Sequence, residues 1–437
     1  MILFFAIMVL LITLIIGVPV PFAFGASIIV IVMWGGYQSD FLLPAGYIQI
    51  SSVVLLAIPL FILAGAIMER GKIGDALVAL VEKFVGPFRG GLGAVSVVAC
   101  GVFGSISGSG FATLSCIGSI MFPKLKDNNY PRDISAALVS NAAPVGGLLI
   151  PPSAIQILYA WSTQQSVLAC FLATAIPGVM ILICLCIVNY FLVRNHNTIV
   201  LPKEPPVIWV KDTVKKTWIA LPGLLMPVII LGGIYGGFMT PTEAAAVSAL
   251  YAIPVGFFIY RKMKLKDFKD ALIQSGTTTG VCMVMFFMVM ILSRMLIMEN
   301  MPSRIADAML GISENKYIVM LMINIFMIII GMLMDDVSST LLCASMLLPL
   351  VIKIGIHPVH FAAILGVNLG MGNVTPPTAP ILFLGARLSD APVSGMFKVT
   401  FIFILFAWLP VLALVTLFPE LALSLPKLVL PKLFTIL

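Results

Sequence analysis

Two short polar stretches interrupt an otherwise apolar chain of 437 residues, and they are where its chemistry would sit. The first reads Gly104-Ser105-Ile106-Ser107-Gly108-Ser109-Gly110 and the second Met334-Asp335-Asp336-Val337-Ser338-Ser339-Thr340. Backbone that leaves helical form at membrane depth carries unpaired N–H and C=O groups, each costly unless protein, water or a ligand meets it. Two short helices meeting at such a turn aim N–H ends at an anion, while carbonyls and hydroxyls form an oxygen cage for a small cation. An organic anion and sodium fit that chemistry together. A Gly/Ser turn used only for close helix packing is the plainer alternative, and two matched turns weaken it.

Two further stretches could complete the cages. Asn141-Ala142-Ala143-Pro144-Val145-Gly146-Gly147 and Gly366-Val367-Asn368-Leu369-Gly370-Met371-Gly372-Asn373-Val374-Thr375-Pro376-Pro377 hold too much Gly and Pro to remain continuous helix. Their freed carbonyls and their Asn and Thr side chains can coordinate a cation. A charge at the bilayer centre costs about 2.5–3.5 kcal/mol on insertion scales, so Asp335 and Asp336 are the candidates for a cation ligand or a proton-sensitive coupling group. Glu243, in Thr240-Pro241-Thr242-Glu243, stands where a helix start favours an acid for capping alone. Arg294, near a span end, is expected to snorkel, and Arg387 to face the cytoplasm. His196, His357 and His360 are placed in loops without spacing for a metal or a nucleophile, and the seven cysteines read as small packing residues. No enzymatic constellation or cofactor motif stands out, and sodium is the one metal ion expected.

These stretches belong to a repeated segment. Thr113-Leu114-x-Cys116, Pro131, Asn141 and Pro151-Pro152-Ser153 return as Thr340-Leu341-x-Cys343, Pro358, Asn368 and Pro376-Pro377-Thr378. The offset is 227 residues from Thr113/Thr340 to Asn141/Asn368 and 225 at the proline pairs, and 8 of the 29 positions from 113 to 141 are identical to their partners. Duplication is the simplest account. Matching Gly/Pro-interrupted apolar segments in two halves of a membrane protein point to a transporter site between the halves.

The elements that must hold these residues are membrane helices. Hydrophobic residues are 61% of the chain and charged residues only 10%, against roughly 25% charged in a soluble domain. The first apolar run, 2–16, lacks a basic flank and a small-residue cleavage site, so it reads as a span and not a secretory signal. Lys and Arg accumulate in short cytoplasmic loops. Loops at 70–89, 124–132, 194–216, 261–270 and 387–398 would hold 19 of the 25, leaving Arg294, Arg304, Lys316, Lys353, Lys427 and Lys432 outside. The net charge of +7 therefore reflects orientation and needs no nucleic-acid partner.

This split requires that 92–123 and 317–350 each enter and leave on one side, as re-entrant hairpins with apolar arms of a dozen or so residues. The first would enter from the cytoplasm and the second from outside, giving inverted repeats. The sequence thus predicts an all-α polytopic membrane protein of the inverted-repeat transporter class, with two re-entrant helical hairpins and two broken helices. The first repeat covers 1–193, a Pro- and Lys-bearing cytoplasmic linker with Pro202, Pro205 and Pro206 covers 194–217, and the second repeat covers 218–437. Within the first repeat, spans fall near 2–17, 20–36 and 51–69, then an amphipathic segment at 73–86, hairpin one at 92–123, a broken span at 133–158 and a long span at 166–193. Within the second, spans fall near 218–236, 242–260 and 275–298, followed by hairpin two at 317–350, a broken span at 359–385 and a last span at 396–418.

Five linked strings also carry a resemblance. Those at 104–109, 141–153, 240–246, 334–340 and 368–377 resemble the large membrane subunit of the tripartite ATP-independent periplasmic (TRAP) transporters, nearly end to end. The resemblance implies a sodium-coupled, ATP-independent importer of organic acids such as a C4-dicarboxylate or a sialic acid, in the bacterial inner membrane. It implies a small four-helix membrane subunit, absent from this chain, and a periplasmic substrate-binding protein as partners. It further implies that hairpins and broken helices move as an elevator against a scaffold. By matching position, sodium-site roles fall on Ser105, Ser107, Asn141, Gly146, Asp336, Thr340, Asn368 and Thr375, and substrate-side roles on Ser109, Ser153 and Asp336. Many relatives are expected to carry a second small polar residue near Gly110, which this chain lacks. The charge split puts the N-terminus on the periplasmic side.

Three rivals are weighed against this reading. An intramembrane aspartyl protease would need Asp335 and Asp336 to converge, yet adjacent residues point apart and no second acidic motif appears. A channel would need only packed spans and a pore. A proton-coupled transporter of another family would follow pH and ignore sodium. No Gly-x-x-x-x-Gly-Lys-Ser/Thr string occurs, in keeping with coupling that needs no ATP.

Overall fold

In a chain this apolar, backbone hydrogen bonds must close within each segment, and a helix does this without a partner. The computed structural model describes residues 2–196, 198–199, 205–376 and 379–434, and every regular element among them is helical. Pro202, Pro377 and Thr378, singled out in the sequence, lie outside the described residues. Eight helices among the described residues are long and apolar enough to cross a membrane: Val53–Arg70, Val167–Val193, Pro206–Tyr235, Pro241–Ile259, Leu265–Met298, Lys316–Leu333, Asp336–Lys353 and Val393–Leu417. The bent pair Arg132–Leu149 and Ala154–Thr163, which turns by 43°, is long and apolar enough to count as a ninth when taken as one span.

Several expected boundaries move for identifiable reasons. The first two spans are the helices Ile2–Ile15 and Val20–Gly35, of 14 and 16 residues. At about 1.5 Å per residue they fall short of the ~30 Å hydrocarbon core. They lie against each other, joined through Gly17 at φ +89° and Pro19, and Ser27 Oγ donates to the Ala6 carbonyl at 3.0 Å. A helix at Leu42–Ile50 was not anticipated. His360 does not lie in a loop: it is buried inside Pro358–Gly372, its Nε2 at 2.8 Å from the Val415 carbonyl. His357 caps that helix by accepting the Val359 N–H at 3.1 Å, and burial with nearby Lys427 pushes its imidazole below the ordinary pKa. Glu243 is a cap, as its position suggested: Thr240 N donates to it at 2.7 Å and its own N–H donates back to the Thr240 hydroxyl at 3.3 Å.

The amphipathic segment is the helix Ile73–Val85, which buries Ile73, Leu77, Val78 and Leu80. Its polar face is tied down by Lys83–Asp212 at 2.5 Å and Lys124–Glu82 at 2.8 Å. On the other side of the protein, the Tyr37 hydroxyl donates to Glu299 at 2.7 Å, which raises the phenol above its ordinary pKa and fastens an early loop to the end of Leu265–Met298.

Both hairpins form, with longer arms and shorter tips than expected. Hairpin one is Gly91–Ser107 and Gly110–Asp127; hairpin two is Lys316–Leu333 and Asp336–Lys353. The arms hold 17 or 18 residues because Gly104–Ser107 stays helical and Asp336–Thr340 is already the first turn of the returning arm. Only Gly108-Ser109 and Met334-Asp335 remain as tips. Each tip ends on a broken helix. The first break follows Arg132–Pro144, where the wide turn Val145–Leu149 and residues 150–153 precede Ala154–Thr163. The second separates Pro358–Gly372 from Pro380–Ser389.

Glycine permits the seating. A Cβ on Gly104 would lie 2.3 Å from the Gly146 carbonyl carbon, and one on Gly147 would lie 2.3 Å from the Gly110 nitrogen. In hairpin two, a Cβ on Gly372 would lie 2.7 Å from the Gly331 carbonyl carbon. The halves also interlock: Tyr159 Oη donates to the Pro358 carbonyl at 2.7 Å, and one hydrophobic core runs from Leu3 to Leu423.

Gly104→Ala and Gly146→Ala are therefore expected to destabilise by about 1–3 kcal/mol through overpacking. Gly276→Ala and Gly280→Ala, which meet nothing within 4 Å inside a helix, should be neutral or slightly stabilising. Thermal unfolding of the detergent-solubilised protein separates the two pairs.

Candidate functional site

Each tip joins the C-terminal end of one helix to the N-terminal end of the next. It therefore presents carbonyls suited to a cation and N–H groups suited to an anion within one turn. At tip one, Gly108 takes the left-handed conformation at φ +61°, which ends the incoming arm and turns the chain. Ser109 then caps the returning arm, its hydroxyl accepting the Ala112 N–H at 3.5 Å. Ser107 Oγ lies 3.0 Å from Thr113 Oγ1, and the Thr113 hydroxyl donates to the Ser109 carbonyl at 2.7 Å. The tip is thus a closed knot of hydroxyls. Ser105 turns inward on its own helix, donating to the Val102 carbonyl at 2.7 Å.

The first break brings its residues against this knot. Gly146 meets Gly104 and the Cys100 carbonyl, and Gly147 meets Ser109. Ser153 is fully buried beside the tip, where Ala154 N and the Pro152 carbonyl approach Gly108, and its hydroxyl has no protein partner. Asn141 is also fully buried, but it is occupied. Its Nδ2 donates to the Ala137 carbonyl at 2.8 Å and reaches Thr400 Oγ1 at 3.4 Å, while Trp408 Nε1 donates to its Oδ1 at 3.2 Å. The last span therefore braces this asparagine.

Tip two divides its acids between two tasks. Asp335 caps the returning arm, accepting the N–H groups of Val337 at 3.0 Å and Ser338 at 3.3 Å. Asp336 points to the second break and accepts from Asn373 Nδ2. Thr340 Oγ1 donates to the Asp336 carbonyl at 2.7 Å, and Thr375 Oγ1 to the Met371 carbonyl at 2.6 Å. Asn368 donates to Asn324 Oδ1 at 3.1 Å and to the Ile364 carbonyl at 2.8 Å. The buried oxygens Asn368 Oδ1 and Ser339 Oγ have no protein partner.

Buried oxygens without partners, one carboxylate and helix-end carbonyls are a hard-donor set, suited to a small cation such as sodium. No group of three or more His, Cys, Asp or Glu side chains gathers among the described residues. An adjoining cavity of about 180 Å³ is lined by Ser107, Ser109 and Phe111 on the hairpin side and by Gly65, Glu69 and Gln274 facing them. It borders Arg70, which donates to Gln274 at 3.1 Å, so it lies by the basic loops. Ser107, Ser109, Gly146 and Ser153 thus gather at tip one, and Asp336 and Thr340 at tip two. Ser105, Asn141 and Thr375 spend their polar groups within their own helices or on neighbouring spans. Sequence reasoning missed Asn373 as the partner of Asp336, though it stood in the Gly-rich string. It also missed Trp408 and Thr400, for which no local signal existed.

Residues 7–421 match the family described as "Tripartite ATP-independent periplasmic transporter, DctM component". The chain is 35% identical over 373 residues to the C4-dicarboxylate TRAP transporter large permease protein DctM of Pseudomonas aeruginosa, a match covering 85% of this chain and 86% of that one. It is 34% identical over 379 residues to the sialic acid TRAP transporter large permease protein SiaM of Vibrio cholerae, covering 87% of each. It is 35% identical over 395 residues to the isethionate TRAP transporter permease protein DctMQ of Oleidesulfovibrio alaskensis, covering 88% of this chain but 60% of that longer one. The solved YdaH transporter of Alcanivorax borkumensis shares the fold, with a TM-score of 0.60 over 85% of each chain at 13% identity.

The two acids of tip two should separate in stability. Asp335→Asn keeps a good capping side chain and is expected to be near neutral, whereas Asp335→Ala should cost about 1 kcal/mol. The thermal midpoints of the two variants check this.

Proposed function

The chain belongs to the DctM component family of tripartite ATP-independent periplasmic transporters, and on that premise we propose that it imports organic acids by sodium coupling. It is a TRAP transporter large permease, a multi-pass membrane protein of a transport family and not an enzyme. The substrates named in its relatives are a C4-dicarboxylate, a sialic acid and isethionate, so the proposed cargo is an organic anion. The proposed location is a bacterial inner membrane with the N-terminus periplasmic. The proposed partners are a small four-helix subunit and a periplasmic substrate-binding protein.

The observation that carries this reading is one arrangement made twice: a hairpin tip seated through glycine on a broken helix, with polar oxygens at the junction. We read 1–193 and 218–437 as inverted repeats joined by 194–217, with the hairpins and broken helices moving as one body. We assign sodium to tip one through Ser107 and Gly146 and to tip two through Asp336, Thr340 and Asn368; Ser105, Asn141 and Thr375, proposed with them from the family pattern, would have to give up their present partners to join. Ser109, Ser153 and Asp336 are assigned to the anion. A cation at each tip draws in carbonyls and orders the neighbouring N–H groups, so anion affinity rises with sodium, and sodium affinity with the anion by the same factor. Each net positive charge carried inward gains about 2.3 kcal/mol per 100 mV of membrane potential.

Liposomes holding the permease and its partners test this. An inward sodium gradient is expected to drive uptake of the acid, and Ser107→Ala and Asp336→Asn should each raise the half-saturating sodium about tenfold, the equivalent of ~1.4 kcal/mol. Uptake that follows pH, ignores sodium and disappears with Asp336→Asn establishes the proton-coupled alternative instead.

A further inference from the structure

Two cavities lie against the span Leu265–Met298, near its opposite ends. Gln274, Ser275 and Thr278 face the cavity of about 180 Å³ beside tip one. Met290, Ser293, Arg294 and Ile297 face a larger cavity of about 550 Å³. Gln274 and Arg294 are 20 residues apart in one helix, which is about 30 Å along its axis, the thickness of the hydrocarbon core. The two cavities therefore open toward opposite membrane faces.

The larger cavity is built from four separate elements. Gln49 comes from Leu42–Ile50, Ser162 and Gln164 from the end of the first broken helix, Ser293 from the long span and Ser345 from hairpin two. All of these are neutral hydrogen-bonding groups. Arg294 is the only charged side chain among the described residues that line it, it is exposed, and it has no carboxylate partner among them. Arg294, expected to snorkel from a span end, also lines this cavity, whose walls mix those polar groups with Ile48, Met290, Ile297 and Leu341. In the smaller cavity the single charged lining residue is Glu69, of opposite sign.

We propose that the larger cavity is a receiving vestibule for the organic anion, in which the Arg294 guanidinium holds the carboxylate or sulfonate of an arriving acid before it reaches the hairpin tips. The guanidinium offers a planar fork of N–H donors that matches either group, and the surrounding amides and hydroxyls take the rest of a small polar solute. This inference rests on the reading of the chain as an organic-anion permease.

The test is a charge measurement inside the vestibule, made on the full-length protein in membranes. Ser162→Cys is labelled with an anionic and with a cationic thiosulfonate reagent, and the chain with Ser162 intact supplies the background from native thiols. Arg294→Gln is expected to lower the anion-to-cation rate ratio about tenfold, since one unit charge a few ångströms away shifts each reagent's local concentration severalfold in opposite directions. Arg294→Lys should preserve the ratio, and a C4-dicarboxylate should slow labelling in the parent but not in Arg294→Gln. If Arg294→Gln fails to fold, Gln49→Glu places an opposing carboxylate on the facing wall and should lower the ratio in the same way. A ratio that stays within twofold in whichever variant folds overturns the vestibule. Loss of sodium-driven uptake in the unmodified protein would instead overturn the transport reading, so the two failures are told apart.

Discussion

At two places a hairpin arm, just before its tip, rests on a broken helix with no side chain between them: Gly104 on Gly146, and Gly331 on Gly372. Everything else in the molecule is arranged around these approaches. Non-helical backbone is tolerated at membrane depth only when protein covers it, and here each break and each tip cover one another. A side chain at either glycine would hold the two apart and open both to lipid. The same closeness brings helix-end carbonyls, N–H groups and hydroxyls into one small volume, so the constraint that keeps the fold intact also concentrates its polar groups.

The parts of this arrangement that could be read from the sequence are those with local signatures. Pairs such as Asn141/Asn368 and Thr113/Thr340 announced the repeat, and the Gly/Ser and Asp-Asp strings marked the tips. Polarity was a poor guide to where the turns begin, however. Ser105 and Ser107 donate to backbone within or beside their helix, and Ser338 already stands inside the returning arm, so residues that look like loop are helix and the true tips shrink to two residues each. Capping was legible at Glu243, because Thr-x-x-Glu is a local motif. Trp408 and Thr400 could not be inferred, since their contact with Asn141 spans more than 250 residues of chain. His360 was misplaced for a related reason: its partner is the Val415 carbonyl, and nothing nearby in sequence hints at a buried acceptor.

Long-range contacts tie the early and late parts of the chain together. The first broken helix is braced by the last span through Asn141, Trp408 and Thr400, and Tyr159 anchors on the start of the second. Around this centre the amphipathic helix Ile73–Val85 is held by ion pairs to Asp212 and Lys124, and the Tyr37–Glu299 contact fastens the opposite end of the long span. Charged groups thus fix the periphery, while neutral hydrogen bonds and close packing fix the middle, where an unpaired charge would be expensive.

The two tips differ in one respect that bears on the proposed cycle. At tip one the hydroxyls of Ser107 and Thr113 are already bonded to each other and to the Ser109 carbonyl, whereas at tip two Ser339 Oγ and Asn368 Oδ1 have no protein partner. A cation proposed at tip two would meet two oxygens with no bond to give up, beside Asp336 and Thr340, which already have partners. One proposed at tip one would have to part the Ser107–Thr113 pair before those hydroxyls could turn to it, so on the sodium reading the two tips would fill at unequal cost.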